Sequence, residues 1–104
     1  MNISTKPNGT HVVFEISGDM RGRDFAELLS KMRESAYTNL IVDLSQLRYI
    51  DSQGLGGLLY SNKILSMSGK KLTLMSPQQY VKKIFSDYSL DQVLNIADPE
   101  PVCC

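Results

Sequence analysis

The stretch Leu40-Ile41-Val42-Asp43-Leu44 is almost continuously apolar, and segments with a helical period stand on either side of it. A strand with one wet face alternates apolar and polar side chains, whereas a strand covered on both faces does not. The run therefore predicts a strand inside a layered α/β structure, and its neighbours must supply the cover. Upstream, Phe25, Leu28, Leu29 and Met32 fall at i, i+3, i+4 and i+7, which predicts an amphipathic helix over about residues 23–36. Downstream, Leu55, Leu58, Leu59 and Leu65 keep a helical period that Asn62 interrupts, and Gly69 is the expected stop.

The remaining segments continue the alternation. HVVFEIS (11–17) is rich in β-branched and aromatic residues and is closed by Gly18. Residues 2–6, ahead of the turn signal Pro7-Asn8-Gly9, are expected to pair with it as a short edge hairpin. KLTLM (71–75) alternates like a strand. Ser76-Pro77-Gln78-Gln79 reads as a capping box with proline at the first helical position, and Val81, Ile84, Phe85 and Tyr88 then mark a third helix. A short strand is expected at 93–96, followed by a tail over 98–104. Strands alternating with helices imply right-handed βαβ crossovers and a mostly parallel sheet of four to five strands with three or more helices. Three helices are few for coating both faces of such a sheet. One face should be covered better than the other, leaving a surface for a partner.

No linker or repeat divides the 104 residues, so a single domain over 1–104 is expected. Eleven basic and eleven acidic side chains cancel, which leaves no global field to draw the chain to nucleic acid or anionic lipid. The N-terminus lacks an apolar signal-like core, and no run approaches a membrane span. The expectation is a cytoplasmic protein with neither nucleic acid nor membrane as partner. Cys103 and Cys104 are the only cysteines. Adjacent Cα atoms lie ~3.8 Å apart, closer than ordinary disulfide geometry prefers, so no disulfide framework and no zinc site follow. A passive tail is expected, with crosslinking of chains as the alternative.

Enzyme motifs are mostly absent. The one histidine, His11, falls inside a predicted strand as a surface or edge residue. Ser52 lacks the G-x-S-x-G frame of a nucleophile elbow. Gly54, Gly56 and Gly57 do not fit G-x-G-x-x-G, and Gly69-Lys70 lacks the upstream glycine of a P-loop. Asp19, Asp24, Asp43 and Asp51 could gather at the C-terminal edge of the sheet, where α/β folds keep their sites. Such a cluster is a Mg²⁺ candidate whose geometry nothing fixes. No catalysis, cofactor or metal is expected.

Asp51-Ser52 is the exception. The pair stands where an apolar approach ends and a helical period begins. Either residue would serve as an N-cap, whose loss typically costs ~1 kcal/mol. From spacing alone capping is the favoured reading, yet a hydroxyl at a helix start is also well placed for phosphorylation. A phosphate of roughly −1.5 to −2 charge would meet the positive end of the helix dipole. Gly54 and Gly56, just beyond, either pack the helix closely on the sheet or leave the surface open to a docking partner.

In this order the residues resemble a known family. LIVDLSQLRYIDSQGLGGLL is similar to the central signature of the STAS domain: strand, Asp-Leu-Ser, spacer, apolar pair, then Asp-Ser-x-Gly-Leu-Gly. VVFEISGDM, the Gly-Lys-Lys-Leu entry to a strand and IFSDYSLDQVLNI agree with it, over roughly residues 10–97. The nearest pattern is that of the bacterial anti-sigma factor antagonists. The resemblance implies that Ser52 is the phosphoacceptor, Asp51 its flanking acid, and Gly54, Leu55 and Gly56 the docking surface. It implies as partners a serine kinase that doubles as anti-sigma factor, of the histidine-kinase-like ATPase fold, and a PP2C-type phosphatase. The unphosphorylated form would bind the kinase and free the sigma factor.

Two departures stand out. Family members often read Gly-Glu-Leu-Asp before the first helix, with that aspartate near the serine; here Gly18-Asp19-Met20-Arg21 puts Arg21 in its place. Asp19, Arg21 and Asp24 thus become the candidate neighbourhood of a phosphate, in which an arginine can pair with phosphoserine. The family's final helix is also missing or degenerate before DPEPVCC. The alternative reading is a STAS module that binds a partner or small ligand constitutively, as transporter- and lipid-transport-associated members do, with Ser52 only a cap. A small flavodoxin-like enzyme is a third class, lacking a visible cofactor site.

Overall fold

The computed structural model describes residues 1–97, so the expected tail, with Cys103 and Cys104, lies outside the described residues. Strands β1 (Asn2–Asn8), β2 (His11–Met20), β3 (Asn39–Ile50), β4 (Lys71–Met75) and β5 (Asn95–Ala97) form one sheet in sequential order. β1 and β2 are an antiparallel hairpin closed at Asn8 and His11. Gly9 supplies its turn at φ +69°, and Pro7 sits in β1, an edge strand where a missing N–H is tolerated. The other three pairings are parallel.

Helix α1 (Phe25–Glu34) joins β2 to β3, α2 (Ser52–Met67) joins β3 to β4, and α3 (Gln79–Asp87) joins β4 to β5. Each crossover steps the same way across the sheet, and right-handed connections then place every helix on the same face. The core shows this. Leu28 and Met32 of α1, Leu55 and Leu58 of α2, and Val81 and Phe85 of α3 share one cluster with Phe14, Val42 and Leu74 of the strands. The alternate strand residues Val13, Ile41 and Met75 form a separate small cluster on the opposite face. LIVDL reads as continuous because Leu40, Val42 and Leu44 face the helices while Ile41 is buried at 5% exposure on the other side.

The elements differ from the sequence expectation where polar residues break an apolar run. β3 continues to Ile50 instead of ending at Leu44, and β2 continues to Met20. Two register shifts in the β2–β3 ladder make this possible, between Glu15 and Ser17 and between Gly18 and Asp19. Gly18 takes φ +89° there, a conformation glycine adopts freely. Residues 22–24 form a 3₁₀ turn, so α1 starts at Phe25 rather than 23.

The capping box expected at Ser76 is not formed. Ser76 has φ +54° and donates its N–H to the Ala97 carbonyl at 2.8 Å, which turns it toward β5 instead of the helix. Gln78 is the N-cap residue, without a side-chain cap, and its Nε2 donates to the Ser45 carbonyl at 2.8 Å. Pro77 therefore stands before α3 and not at its first position. The last strand begins at Asn95 because Leu90–Gln92 form a second 3₁₀ turn. Lys70 donates to the carbonyls of Ser35 and Tyr37, pinning the loop that leads into β3.

The two-faced sheet has a measurable consequence. Leu74→Ala empties space in the main cluster and should cost about 3 kcal/mol in urea unfolding. Met75→Ala, one residue on but in the small opposite cluster, should cost less than about half of that. Equal losses would contradict the assignment of the core to one face.

Candidate functional site

β2 and β3 end side by side, Met20 opposite Ile50, because of the register shifts just described. The chain then turns directly into α2. Asp51 is extended, at φ −94° and ψ 179°, and donates its N–H to the Met20 carbonyl at 3.2 Å. Its carboxylate is divided between two elements. Oδ1 accepts from the Gly54 N–H at 2.8 Å, capping α2, and Oδ2 accepts from the Gly22 N–H at 2.9 Å in the β2–α1 loop. The Gly22 and Gly54 N–H groups hold the Asp51 carboxyl below its usual range; partial desolvation opposes them, and the Arg21 charge adds to the lowering.

Ser52 is the first residue of α2 and is exposed. Among the described residues its hydroxyl has no hydrogen-bond partner. The cap is Asp51, and the Ser52 hydroxyl is left to solvent. Ser61, by contrast, is buried and donates to the Gly57 carbonyl at 2.7 Å, a role internal to the helix.

The glycines after Ser52 separate by environment. A Cβ on Gly54 would lie 2.8 Å from Ile50 Cγ1 and 3.1 Å from the Met20 carbonyl oxygen. One on Gly57 would lie 2.2 Å from the Phe25 ring. These two are required by packing, and Gly54 and Leu55 are both buried. Gly56 is exposed, and a Cβ there would meet nothing within 4 Å.

Beside this helix start lies a group of charged and aromatic side chains. Asp19 Oδ2 pairs with Arg21 Nη2 at 3.2 Å and Asp19 Oδ1 with Arg48 Nη2 at 3.4 Å. The Arg21 guanidinium stands 4.4 Å from the centroid of Tyr49, which stacks on Tyr80 with centroids 6.4 Å apart. Asp24 turns back on its own loop and accepts the Arg21 N–H at 2.9 Å.

The structure thus brings Asp19, Arg21, Asp24 and Asp51 around one loop, as the sequence suggested, but leaves Asp43 out. Asp43 pairs with Glu15 in the ladder, seven positions before Ile50, or roughly 20 Å back along the strand, and accepts the Ser45 N–H at 2.9 Å. The expected gathering of all four aspartates is corrected accordingly. Among the described residues no group of three or more His, Cys, Asp or Glu is placed to hold a metal ion. His11 is buried, not a surface residue, and begins β2 at the end far from Ser52, which separates the two as triad partners. Among the described residues no helix is long and apolar enough to cross a membrane.

Sequence reasoning missed Arg48, Tyr49 and Tyr80. Arg48 fell in a presumed spacer and Tyr49 in the apolar pair after it, because Ser45-Gln46 interrupts the apolar run. The alternation of Leu47 and Tyr49 around Arg48 was the available sign that the strand goes on.

A mostly parallel sheet with helices on one face, its second parallel strand delivering a capping aspartate and an exposed serine, defines a small α/β module whose distinctive surface is a helix start. Residues 3–96 match the family described as "Mlab, STAS domain", and the chain belongs to that family. A 74-residue stretch is 34% identical to a Thermotoga maritima protein assigned as an anti-sigma factor antagonist, covering 71% of this chain and 62%, less than two thirds, of that relative. The anti-sigma-B factor antagonist of Staphylococcus aureus is 22% identical over 99 residues, 92% of either chain. The anti-sigma factor antagonist SpoIIAA in its unphosphorylated form superposes with a TM-score of 0.76 at 20% identity, over 96% of this chain and 90% of SpoIIAA. The Bacillus cell fate determinant SpoIIAA in its phosphorylated form gives 0.71 at 19% identity, over 96% and 93%. The two superpositions show that the fold is shared.

The Asp51 latch makes stability depend on acid. Its folded-state pKa is depressed, so its contribution is present above the unfolded value of about 3.9 and is lost as pH falls through the folded value. Urea midpoints taken between pH 6 and pH 2.5 should fall for the wild type in this window. Asp51→Asn should be weaker at pH 6 and should lack that part of the decline.

Proposed function

We propose that this chain is a phosphorylation-switched binding protein of the anti-sigma factor antagonist type, and not an enzyme. In its unphosphorylated state it binds a serine kinase that is also an anti-sigma factor, of the histidine-kinase-like ATPase fold. Transfer of the ATP γ-phosphoryl group to the Ser52 oxygen releases it, and a PP2C-type phosphatase restores the binding state. These reactions place the protein in the cytoplasm. The observation that carries the reading is the division of labour at the helix start: Asp51 caps α2, and the exposed Ser52 hydroxyl is engaged with nothing in the described fold. The relatives named as anti-sigma factor antagonists supply the class of partner.

Gly56 supports the same surface. A mid-helix glycine costs up to about 1 kcal/mol relative to alanine, and nothing inside the molecule requires one at 56. One turn along from Ser52, it lets a partner approach the helix backbone. Gly54 and Leu55 shape this surface from beneath. Gly56→Ala should raise the urea midpoint slightly while weakening partner binding. Gly57→Ala should destabilise by about 1–3 kcal/mol because the Phe25 ring must move. Partner affinity unchanged in a folded Gly56→Glu variant would remove Gly56 from the interface.

The switch is tested directly at Ser52. Incubation with the kinase and ATP should add one phosphate, mapped to Ser52 by mass spectrometry. Ser52→Ala should melt like the wild type, since it removes no cap, and should bind the kinase without being released. Ser52→Asp should bind more weakly, because a charge desolvated in an interface without a counter-charge is costly. A loss of ~3 kcal/mol is roughly a hundredfold in Kd. Equal affinity of wild type, Ser52→Ala and Ser52→Asp would make the protein a constitutive binding module instead.

A further inference from the structure

To Arg21, which the sequence already sets in the neighbourhood of a phosphate on Ser52, the structure adds a second arginine, Arg48. Asp19 spends one oxygen on Arg21 and the other on Arg48, so a single carboxylate faces two guanidinium groups. Each guanidinium carries five N–H donors, and each gives Asp19 only its Nη2. The nearest other carboxylates are occupied: Asp51 by the N–H groups of Gly22 and Gly54, and Asp24 by the Arg21 N–H. Within this trio two cations face one anion and most of their N–H donors stay unused, while Asp24 and Asp51 keep their charge with their oxygens engaged by backbone N–H groups.

The backbone holds Arg21 beside the serine. Met20 accepts the Asp51 N–H, and Gly22 donates to the Asp51 carboxylate. Arg21, between them, is pinned on both flanks to the residue that precedes Ser52. Its charge is felt at the Asp51 carboxyl. Gly22 also lies against the Gln53 side chain, 3.4 Å from where its Cβ would stand. The loop carrying Arg21 thus spans the start of α2. The Arg21 and Arg48 side chains are 61% and 74% exposed, so their pairing with Asp19 is the kind of surface ion pair that holds weakly and exchanges readily.

We propose that Arg21 and Arg48 form an intramolecular clamp for a phosphomonoester on Ser52. The dianion outcompetes the singly charged Asp19 for the guanidinium donors, which suit bidentate pairing with phosphate oxygens. Asp19 is a positioning residue that keeps both arginines at hand until the phosphate arrives. The clamp rests on Ser52 as phosphoacceptor and adds what the chain does with the phosphate: it folds the new charge onto its own surface. The Arg21 guanidinium also stands over the Tyr49 ring, 4.4 Å from its centroid.

The test uses the full chain with phosphoserine installed at position 52 during synthesis, so that it does not depend on any kinase. The second phosphate ionisation is followed by ³¹P NMR against pH at low salt. An unperturbed phosphoserine titrates near about 6. The clamp predicts a lower value, which Arg21→Gln and Arg48→Gln each raise, Arg21→Gln by about half a unit or more. Arg21→Lys should restore part of the effect, and Asp19→Asn, which frees both arginines, should lower the value further. Arg33→Gln, at the far end of α1, should leave it unchanged. The arginine variants alter exposed side chains and Asp19 is half-buried, so near-UV spectra check the fold of each. A phosphate pKa indifferent to both arginine substitutions would overturn the clamp and assign any depression to the helix start alone. Failure of a kinase to modify Ser52 would instead sink the switch and leave this titration standing.

Discussion

Handedness arranges this molecule. Parallel neighbours must be joined by right-handed crossovers, and a sheet laid down in sequential order sends each crossover to the same side. All three helices therefore share one core, and every strand has one face built for it. The same rule aims the C-terminal ends of β2 and β3 at the start of α2, where a loop and a helix must meet. What binds them there is one carboxylate. Asp51 satisfies an orphan N–H of α2 and an N–H of the β2–α1 loop together, so the position of that loop and the direction of α2 are set by the same side chain.

This clarifies why two helix-capping residue types stand next to each other. A single cap satisfies the helix, and the geometry gives the task to Asp51 alone. Ser52 is displaced by one position into solvent, at a place where the backbone is rigidly held on both sides. Rigid support under an exposed hydroxyl suits a site that a second protein must find repeatedly in one geometry. The same support means that adding charge to Ser52 need not disturb the core, since Gly54, Leu55 and Gly57 beneath it are packed independently of the hydroxyl.

The fold was legible because its strands and helices announce themselves by period. LIVDL, KLTLM and the spacings from Phe25, Leu55 and Val81 fall within elements of the predicted type, except that Tyr88 is the C-cap of α3 and exposed. The extent of β3 was not legible, because strand continuation through Ser45-Gln46 depends on register shifts in β2 that no local pattern in β3 encodes. That one omission concealed Arg48 and Tyr49. The Ser76 capping box failed for a related reason: a tertiary bond from its N–H to Ala97 decides its backbone, and local propensity yields to it. At the candidate site, residue identity was legible and division of roles was not. Which of Asp51 and Ser52 caps the helix, and which of the three glycines is needed for packing, depends on what stands opposite each of them in space.

The outer face of α2 completes the physical case for a surface governed by charge. Lys63 is its only charged residue among sixteen. Ser52, Gln53, Gly56, Tyr60, Lys63, Ser66 and Met67 face solvent, with Tyr60 at 53% and Met67 at 75% exposure. Surface helices ordinarily place charged side chains on that face; here it carries Met67 and Tyr60, whose ring meets that of Phe25 edge-on with centroids 6.4 Å apart. Against such a background a dianion at position 52 would be the dominant charge, facing the start of α2 and the arginines on the adjoining loop and strand. A stripe that is nearly neutral before modification, and that would carry a phosphate held by two arginines after it, would offer a partner two distinguishable surfaces. On the proposed switch, the low charge of α2 would let a single group decide whether that face is bound.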